Sequence, residues 1–332
     1  MKRFLVPSLR CVSCTGRRLT LQVTHESAVE VRTGCLTCAD CGSVFEIRDG
    51  ILDVLDPLDD VIRKEIHGWI ELAGPLEEHL VSQMAALPYF PQGPWPHTAP
   101  DFFQIFEIVD LAGKSVVDIG AGRTWSSRFL ATIGRAGEVV AVDVLKTRFL
   151  GLETAEIFFH DDGSHFERIA GDIHNIPLVE GWADVVFSCA AIHHSSGIEA
   201  LFREIWRILK PGGLFVFVSE PSKKASIKER QPVNAETAHG INEHIYSFDE
   251  YMSALRATGF QPRQLSPRSI RYRLLYPDAE FREGIPPWLW RFGRTEVGRR
   301  IVPWLLGGRL TGPILYRVAN LPLSVIAKRP GA

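Results

Sequence analysis

The sequence predicts an α/β fold, a mostly parallel sheet with helices on both faces, preceded by a small β-rich unit built around cysteines. Three observations carry this. From Ser115 to Glu220, short β-branched runs alternate with helical patterns, which is how a parallel sheet with crossover helices is written. The run Ser115-Val-Val-Asp-Ile119 is apolar on both faces and enters the turn Gly120-Ala-Gly122, with a helix from about Thr124. Near the N-terminus, Cys11-Val-Ser-Cys14 and Cys38-Ala-Asp-Cys41 form two Cys-x-x-Cys knuckles.

Composition narrows the class. In 332 residues, 45% apolar and 23% charged content are ordinary for a globular chain with ample core. A net charge of −2 gives no global reason to expect nucleic-acid binding. The charge is uneven, however. Asp56 to Pro100 holds seven acids and two bases, and Gln261 to the end holds thirteen bases, twelve of them Arg, against four acids. Met1 to Val6 is too short an apolar run for a secretory signal, and no stretch of about 18 apolar residues spells a transmembrane helix. A cytoplasmic, reducing location is expected, where clustered cysteines bind metal more often than they pair.

Residues 1–56 read as a unit of their own. Leu19 to Val23 and Ala28 to Val31 are candidate hairpin strands, and Val44 to Leu52 holds another strand and a turn. Four thiolates from Cys11, Cys14, Cys38 and Cys41 suit tetrahedral Zn²⁺, which would contribute roughly 10–16 kcal/mol to folding so small a unit. Cys35 has the same spacing to Cys38, but Gly42 follows the Cys38–Cys41 pair as a knuckle glycine should. Seven bases stand against six acids before Asp56, so the unit lacks the basic, aromatic face of a single-strand binder.

Residues 57–100 read as a helical stretch interrupted near Gly74-Pro75, then the proline-rich linker Pro88 to Pro96. Asp101 is the expected N-cap of a helix through Asp110. The glycine turn then poses the question of which nucleotide it serves. Gly120 and Gly122 lack Cβ atoms, so a ligand can approach the backbone. A dinucleotide fingerprint needs glycine at position 125, where Trp125 stands, and Asp118 before the turn suits a cofactor with a positive charge.

Further strand ends add acids. Glu138 to Asp143 is the second strand, and Asp143 can accept both hydroxyls of a ribose. His160 to His165 reads as a solvated loop, with a metal site as the minor alternative, and Phe166 to Ala170 as a strand leading to Asp172-Ile173. Ala183 to Cys189 leads to His193-His194; a helix from Glu199 to Leu209 ends at Lys210-Pro-Gly-Gly213, and Leu214 to Glu220 is the fifth strand.

Asp118-Ile-Gly120-Ala-Gly122, Asp143, Asp172-Ile173, the Asp184-Val-Val strand with its His-His end and Leu209-Lys-Pro-Gly-Gly213 together resemble the class I S-adenosylmethionine-dependent methyltransferases, of the type 11 kind, over Ser115 to Glu220. Thr124 departs from the pattern where many members have another glycine. The cysteine unit resembles the zinc-ribbon activator subunit of tRNA, rRNA and release-factor methyltransferases. The resemblance implies a Rossmann-like, seven-stranded sheet whose last strand is antiparallel. It also implies S-adenosylmethionine held by Asp118, Gly120, Ala121, Gly122, Asp143, Asp172, Ile173 and Cys189, with Asp172 on the adenine amino group and Ile173 against the ring.

On this reading residues 101–332 are the methyltransferase domain. Lys223 to Asn234 is a polar loop, and Ser247 caps a helix ending at Gly259. Arg263 to Ile270 and Leu321 to Ala327 are the sixth and seventh strands, with an insertion at 271–320 rich in Arg and Trp. That insertion suits a helical cap first, then a peripheral membrane contact or a pocket wall for an anionic substrate, and RNA last. His193, at the mouth of the donor site, and His244, on the expected lid, are the candidate catalytic bases. The expected activity is in-line methyl transfer to a small-molecule or lipid-like acceptor. The alternatives are an RNA methyltransferase docking substrate through its ribbon and a non-catalytic S-adenosylmethionine-binding module.

Overall fold

The ribbon and the large domain share one sheet. The computed structural model describes residues 1–90, 93–162, 164–229, 231–277 and 279–331. Pro91 and Gln92 of the proline-rich linker, Gly163 of the His160–His165 stretch and Arg230 of the polar loop lie outside the described residues. The ribbon contributes β1 (Leu19–Glu26), β2 (Val31–Cys38), β3 (Val44–Arg48) and β4 (Ile51–Asp53). The second strand begins where the expected one ended, because Ser27 uses Asx-like local bonds to turn the chain: its hydroxyl accepts the Val29 and Glu30 N–H groups.

Next come α1 (Asp60–Ala73), capped by the Asp59 carboxylate on Val61 N–H, and the short α2 (Val81–Ala85). The helix α3 spans Trp95–Ile108, so the last prolines of the linker open a helix instead of continuing irregular chain, as proline in a first turn can. Asp101 is therefore not an N-cap. It is fully buried inside α3 and accepts hydrogen bonds from Ser219 and Ser269 hydroxyls at 2.9 and 2.6 Å.

The central strands are β5 (Ser115–Ile119), β6 (Glu138–Asp143), β7 (Glu167–Ala170) and β8 (Ala183–Cys189), with α4 (Trp125–Thr132) and α5 (Ala155–Asp162) between them. The helix α5 covers His160 to Asp162 of the expected loop, drawn in by the buried Ile157 and Phe158. The amphipathic α6 (Ile198–Ile208) buries Leu201, Phe202, Ile205 and Ile208 and leads to the long β9 (Leu209–Lys223).

The C-terminal part holds α7 (Ala235–Ala238), β10 (Tyr246–Ser247), α8 (Phe248–Thr258) and β11 (Gln261–Gln264). The sixth strand is thus shorter than expected, and Ile270 starts a helix. That insertion is α9 (Ile270–Leu275), α10 (Ala279–Gly284), α11 (Pro287–Gly293), α12 (Glu296–Gly307) and α13 (Thr311–Val318), before β12 (Leu321–Lys328).

Strand order is β1-β2-β3-β4-β7-β6-β5-β8-β9-β12-β11, with β10 on β9. The seven strands from β7 to β11 form the expected mostly parallel Rossmann-like sheet, and β12 runs antiparallel between β9 and β11. The join to the ribbon is parallel pairing of Ile51, Leu52 and Asp53 with Arg168, Ile169 and Ala170. Arg168, wholly buried, ties this seam by donating to Glu30 and Glu156. Val117, Val140, Ile169 and Phe215 share one core layer with Leu36, Phe45 and Ile47 of the ribbon.

Candidate active site

A cavity of about 760 Å³ opens at the carboxyl ends of β5, β6 and β8, where ligands of such sheets bind. Gly120 (φ +63°) and Gly122 (φ +46°) form its floor. A Cβ on Gly120 would stand 2.4 Å from the Ala191 Cβ, and one on Gly122 would enter open space. A ligand can therefore lie directly on this backbone. Asp143 lines the cavity and accepts Gly122 N–H on one oxygen and Leu145 N–H on the other, each at 2.7 Å. Each oxygen keeps a second lone pair for a ligand hydroxyl.

Asp118 corrects an expectation. Its carboxylate does not line the cavity; it is 1% exposed and accepts the Ser126 and Ser127 hydroxyls, each at 2.6 Å. Burial, opposed by those two bonds and helped by nearby Asp143, pushes its pKa up to about 7. Asp118 pins the first turn of α4 from behind the cavity wall. Thr124, at the missing glycine, takes φ +58°, an unusual value for a β-branched residue.

Asp172 and Ile173 line a second wall. Asp172 accepts His174 N–H at 2.8 Å and bonds the His174 Nδ1, while His174 Nε2 reaches Ser195 Oγ at 2.8 Å. The series Asp–His–Ser has the order of a hydrolase triad. Ser195 is 1% exposed, however, and its hydroxyl accepts Gly197 N–H, so the series straps two cavity loops together. The ribbon holds the same loop. Arg10 N–H donates to the Pro177 carbonyl, Val179 N–H to the Ser8 carbonyl and Asn175 Nδ2 to the Val12 carbonyl, at 2.9 to 3.0 Å.

The third wall is acidic and aromatic. Cys189, His193, His194, Glu65, Trp69, Glu236 and Asn242 line it. His193 Nδ1 lies 2.9 Å from Glu220, which is fully buried and also accepts the N–H groups of Ala191, Ile192 and His193. Burial works against an imidazolium at His193, but Glu220, with Glu243 and Glu236 behind it, wins and raises the pKa. His194, its ring 4.2 Å away, is driven down to about 3 by burial and by its neighbour's charge. Glu236 is pushed up to about 7 by burial and by Glu243 beside it.

His244 does not join them. It lies outside the cavity wall, and its backbone N–H donates to the His193 carbonyl at 2.6 Å. Glu220, Glu65 and Trp69 were not singled out in the sequence. Glu220 carried a signal, being an acid at a strand end like Asp143. Glu65 and Trp69 reach the cavity because α1 lies on residues 239–242: Glu65 accepts Asn242 N–H at 2.6 Å and Trp69 Nε1–H at 2.9 Å. Gly68 permits that approach, since a Cβ there would stand 2.6 Å from the His239 carbonyl oxygen.

At the far end of the ribbon, the Sγ atoms of Cys11, Cys14, Cys38 and Cys41 lie within 4.8 Å of one another. Cys35 points elsewhere, 3.7 Å from Gln22 Oε1. Four sulfurs so gathered fit a thiolate-bound metal and a zinc ribbon.

Residues 117–217 match the sequence profile of a family described as Methyltransferase domain. The chain is 31% identical over 115 residues to a malonyl-[acyl-carrier protein] O-methyltransferase from Methylovorus, covering 33% of this chain and 38% of that one. It is 34% identical over 125 residues to a dimethylglycine N-methyltransferase from Parasynechococcus marenigrum, covering 34% and 41%. The chain thus spans about two fifths of the length of these curated relatives. A solved phosphoethanolamine N-methyltransferase 2 from Haemonchus contortus shares the fold, with TM-score 0.52, 16% identity and coverage of 83% of this chain and 62% of that one. Residues 117–217 are thus a methyltransferase domain, and the sheet from β7 to β11 has the fold of the solved methyltransferase.

Proposed function

We propose that this protein transfers a methyl group from S-adenosylmethionine to a small-molecule or lipid-like acceptor deprotonated by His193. The observation that carries this reading is His193, backed by the buried Glu220, on the wall of the same cavity as the Gly120–Gly122 turn and Asp143. The relatives named as methyltransferases, which act on a carrier-bound malonyl group and on dimethylglycine, support a small acceptor. When bound, S-adenosylmethionine supplies an electrophilic methyl group. Asp143 would hold the ribose, Asp172 and Ile173 the adenine, and the Gly120–Gly122 backbone with Ala121 and Cys189 would line the remainder.

Glu220 accepts the Nδ1 proton of His193, leaving Nε2, which has no partner among the described residues, as the atom that takes the acceptor's proton. Such a base contributes about 10²–10⁴-fold, and orientation of the two reactants can supply about 7–11 kcal/mol. Trp69 and Trp95 give the cavity wall two large apolar surfaces. The four cysteines would hold structural zinc, and their free thiols suit a cytoplasmic location. Partners on this reading are the small acceptor and, through the 271–320 insertion, a membrane surface.

The test is incubation with methyl-labelled S-adenosylmethionine and host extract split into RNA, protein, lipid and small-molecule fractions. Label is expected in the lipid or small-molecule fraction. Label confined to RNA would overturn the acceptor, and wild-type turnover by His193→Ala at saturating acceptor would remove the base.

A further inference from the structure

The insertion carries an apolar surface that the fold leaves uncovered. A surface helix ordinarily shows one apolar stripe, turned to the core. The helix α12 shows two. Gly298, Val302, Pro303 and Leu306 are buried, and Val297, Ile301 and Trp304, spaced i, i+4, i+7, stand on the solvent side. Trp304 is 74% exposed and Val297 59%. The neighbouring helices, which both pack on α12, repeat the pattern: Trp288 and Phe292 on α11, Ile314 and Val318 on α13, with Leu310 82% exposed just before it. A cap packed on the sheet accounts for the inner stripe of α12 and not for the outer ones. An exposed apolar surface of this extent marks a binding face.

Its charge selects the occupant. Residues 285–320 contain six arginines and a single acid, Glu296, which pairs with Arg300. Beside the stripes, Trp290, Arg291, Arg294 and Thr295 line an open hollow of about 360 Å³, with the Arg294 guanidinium 5.4 Å from the Trp290 ring centroid. Indoles at headgroup depth, aliphatic side chains just below and guanidinium groups facing phosphate are the composition of a helix lying in a membrane interface. No helix among the described residues is long and apolar enough to cross a membrane, so the contact is with the surface.

We propose that α11, α12 and α13 seat the protein on an anionic bilayer, with Trp288, Trp304 and Leu310 entering the interface and Arg291 and Arg294 receiving a lipid phosphate. This rests on the membrane partner named above and specifies its face and its lipid charge.

The full-length chain would be sedimented with vesicles of phosphatidylcholine alone and with added phosphatidylglycerol, at low and high salt. Binding to the phosphatidylglycerol vesicles is expected, weakened by salt, by about five-fold for each of Arg291→Gln and Arg294→Gln. Trp288→Ser/Trp304→Ser should bind at least ten-fold more weakly while keeping parental circular dichroism and parental S-adenosylmethionine affinity. Absence of binding to phosphatidylglycerol vesicles at low salt, or equal binding by the tryptophan variant, would overturn the proposal. So would a dimer in light scattering that the tryptophan variant converts to monomer without any vesicle binding, which would make the face a contact between copies. Methyl transfer is measured without vesicles, so its failure alone would strike the activity and leave the bilayer contact standing.

Discussion

Asp118→Asn separates two roles for the acid at the end of β5. The substitution keeps shape and leaves an oxygen to accept from Ser126 and Ser127, but removes the ionisable group. In the folded chain burial lifts the carboxyl from its ordinary 3.8 to about 7. Between those values the folded state holds a proton that the unfolded chain has released. Stability from this group is therefore fully present below pH 3.8 and is lost as pH rises through about 7. The whole change amounts to on the order of 4 kcal/mol, of which roughly 2 falls between pH 5 and 7. Urea unfolding of parent and variant at matched ionic strength across that range should show the parent losing about 2 kcal/mol relative to Asp118→Asn. Titration with S-adenosylmethionine should find nearly equal affinities, because the carboxylate does not line the cavity. Parallel stability curves, together with a large loss of affinity in the variant, would refute the buried role and restore Asp118 as the partner of a ligand cation.

Glu220→Gln removes the main charge that raises the His193 pKa, so the ascending limb of the rate–pH profile should move to lower pH and its plateau fall about 10- to 100-fold; an unmoved limb would sever the pair. The stability that His193 gains from its raised pKa, present below about 6.5 and lost as pH rises through the folded value, should also disappear in that variant. Thr124→Gly relieves a left-handed backbone costing about 1–2 kcal/mol against roughly 0.5–1 kcal/mol of extra chain entropy, so thermal unfolding should shift upward slightly; a clear downward shift would contradict this. Stripping metal with a chelator should unfold the ribbon and, because residues 8–12 hold the 175–179 loop, weaken S-adenosylmethionine binding measured by calorimetry; unchanged affinity in metal-free protein would show that the clamp is idle.

How far the site was legible follows from how local its causes are. The cavity positions of Gly120, Gly122, Asp143 and Asp172 could be read because a glycine turn and acids at strand ends are set by neighbouring residues, and the parallel strands β5 to β8 carry their carboxyl ends to one rim. Asp118 belongs to the same pattern, yet its orientation depends on Ser126 and Ser127, in the first turn of the next helix, and no strand rule contains them. The insertion hid its architecture because its helices are apolar on two sides, so periodicity could not tell core face from surface face. The α1 wall was hidden for another reason: Glu65 and Asn242 are 177 positions apart, and nothing in either segment names the other. One local sign was present. A glycine inside a helix costs about 1 kcal/mol, and Gly68 sits inside α1. That cost is offset only if some backbone comes close enough to need the missing Cβ, as His239 does at 2.6 Å. An unexplained helix-interior glycine thus marks the face on which a distant segment will lie, and here that face delivers Glu65 and Trp69 to the cavity.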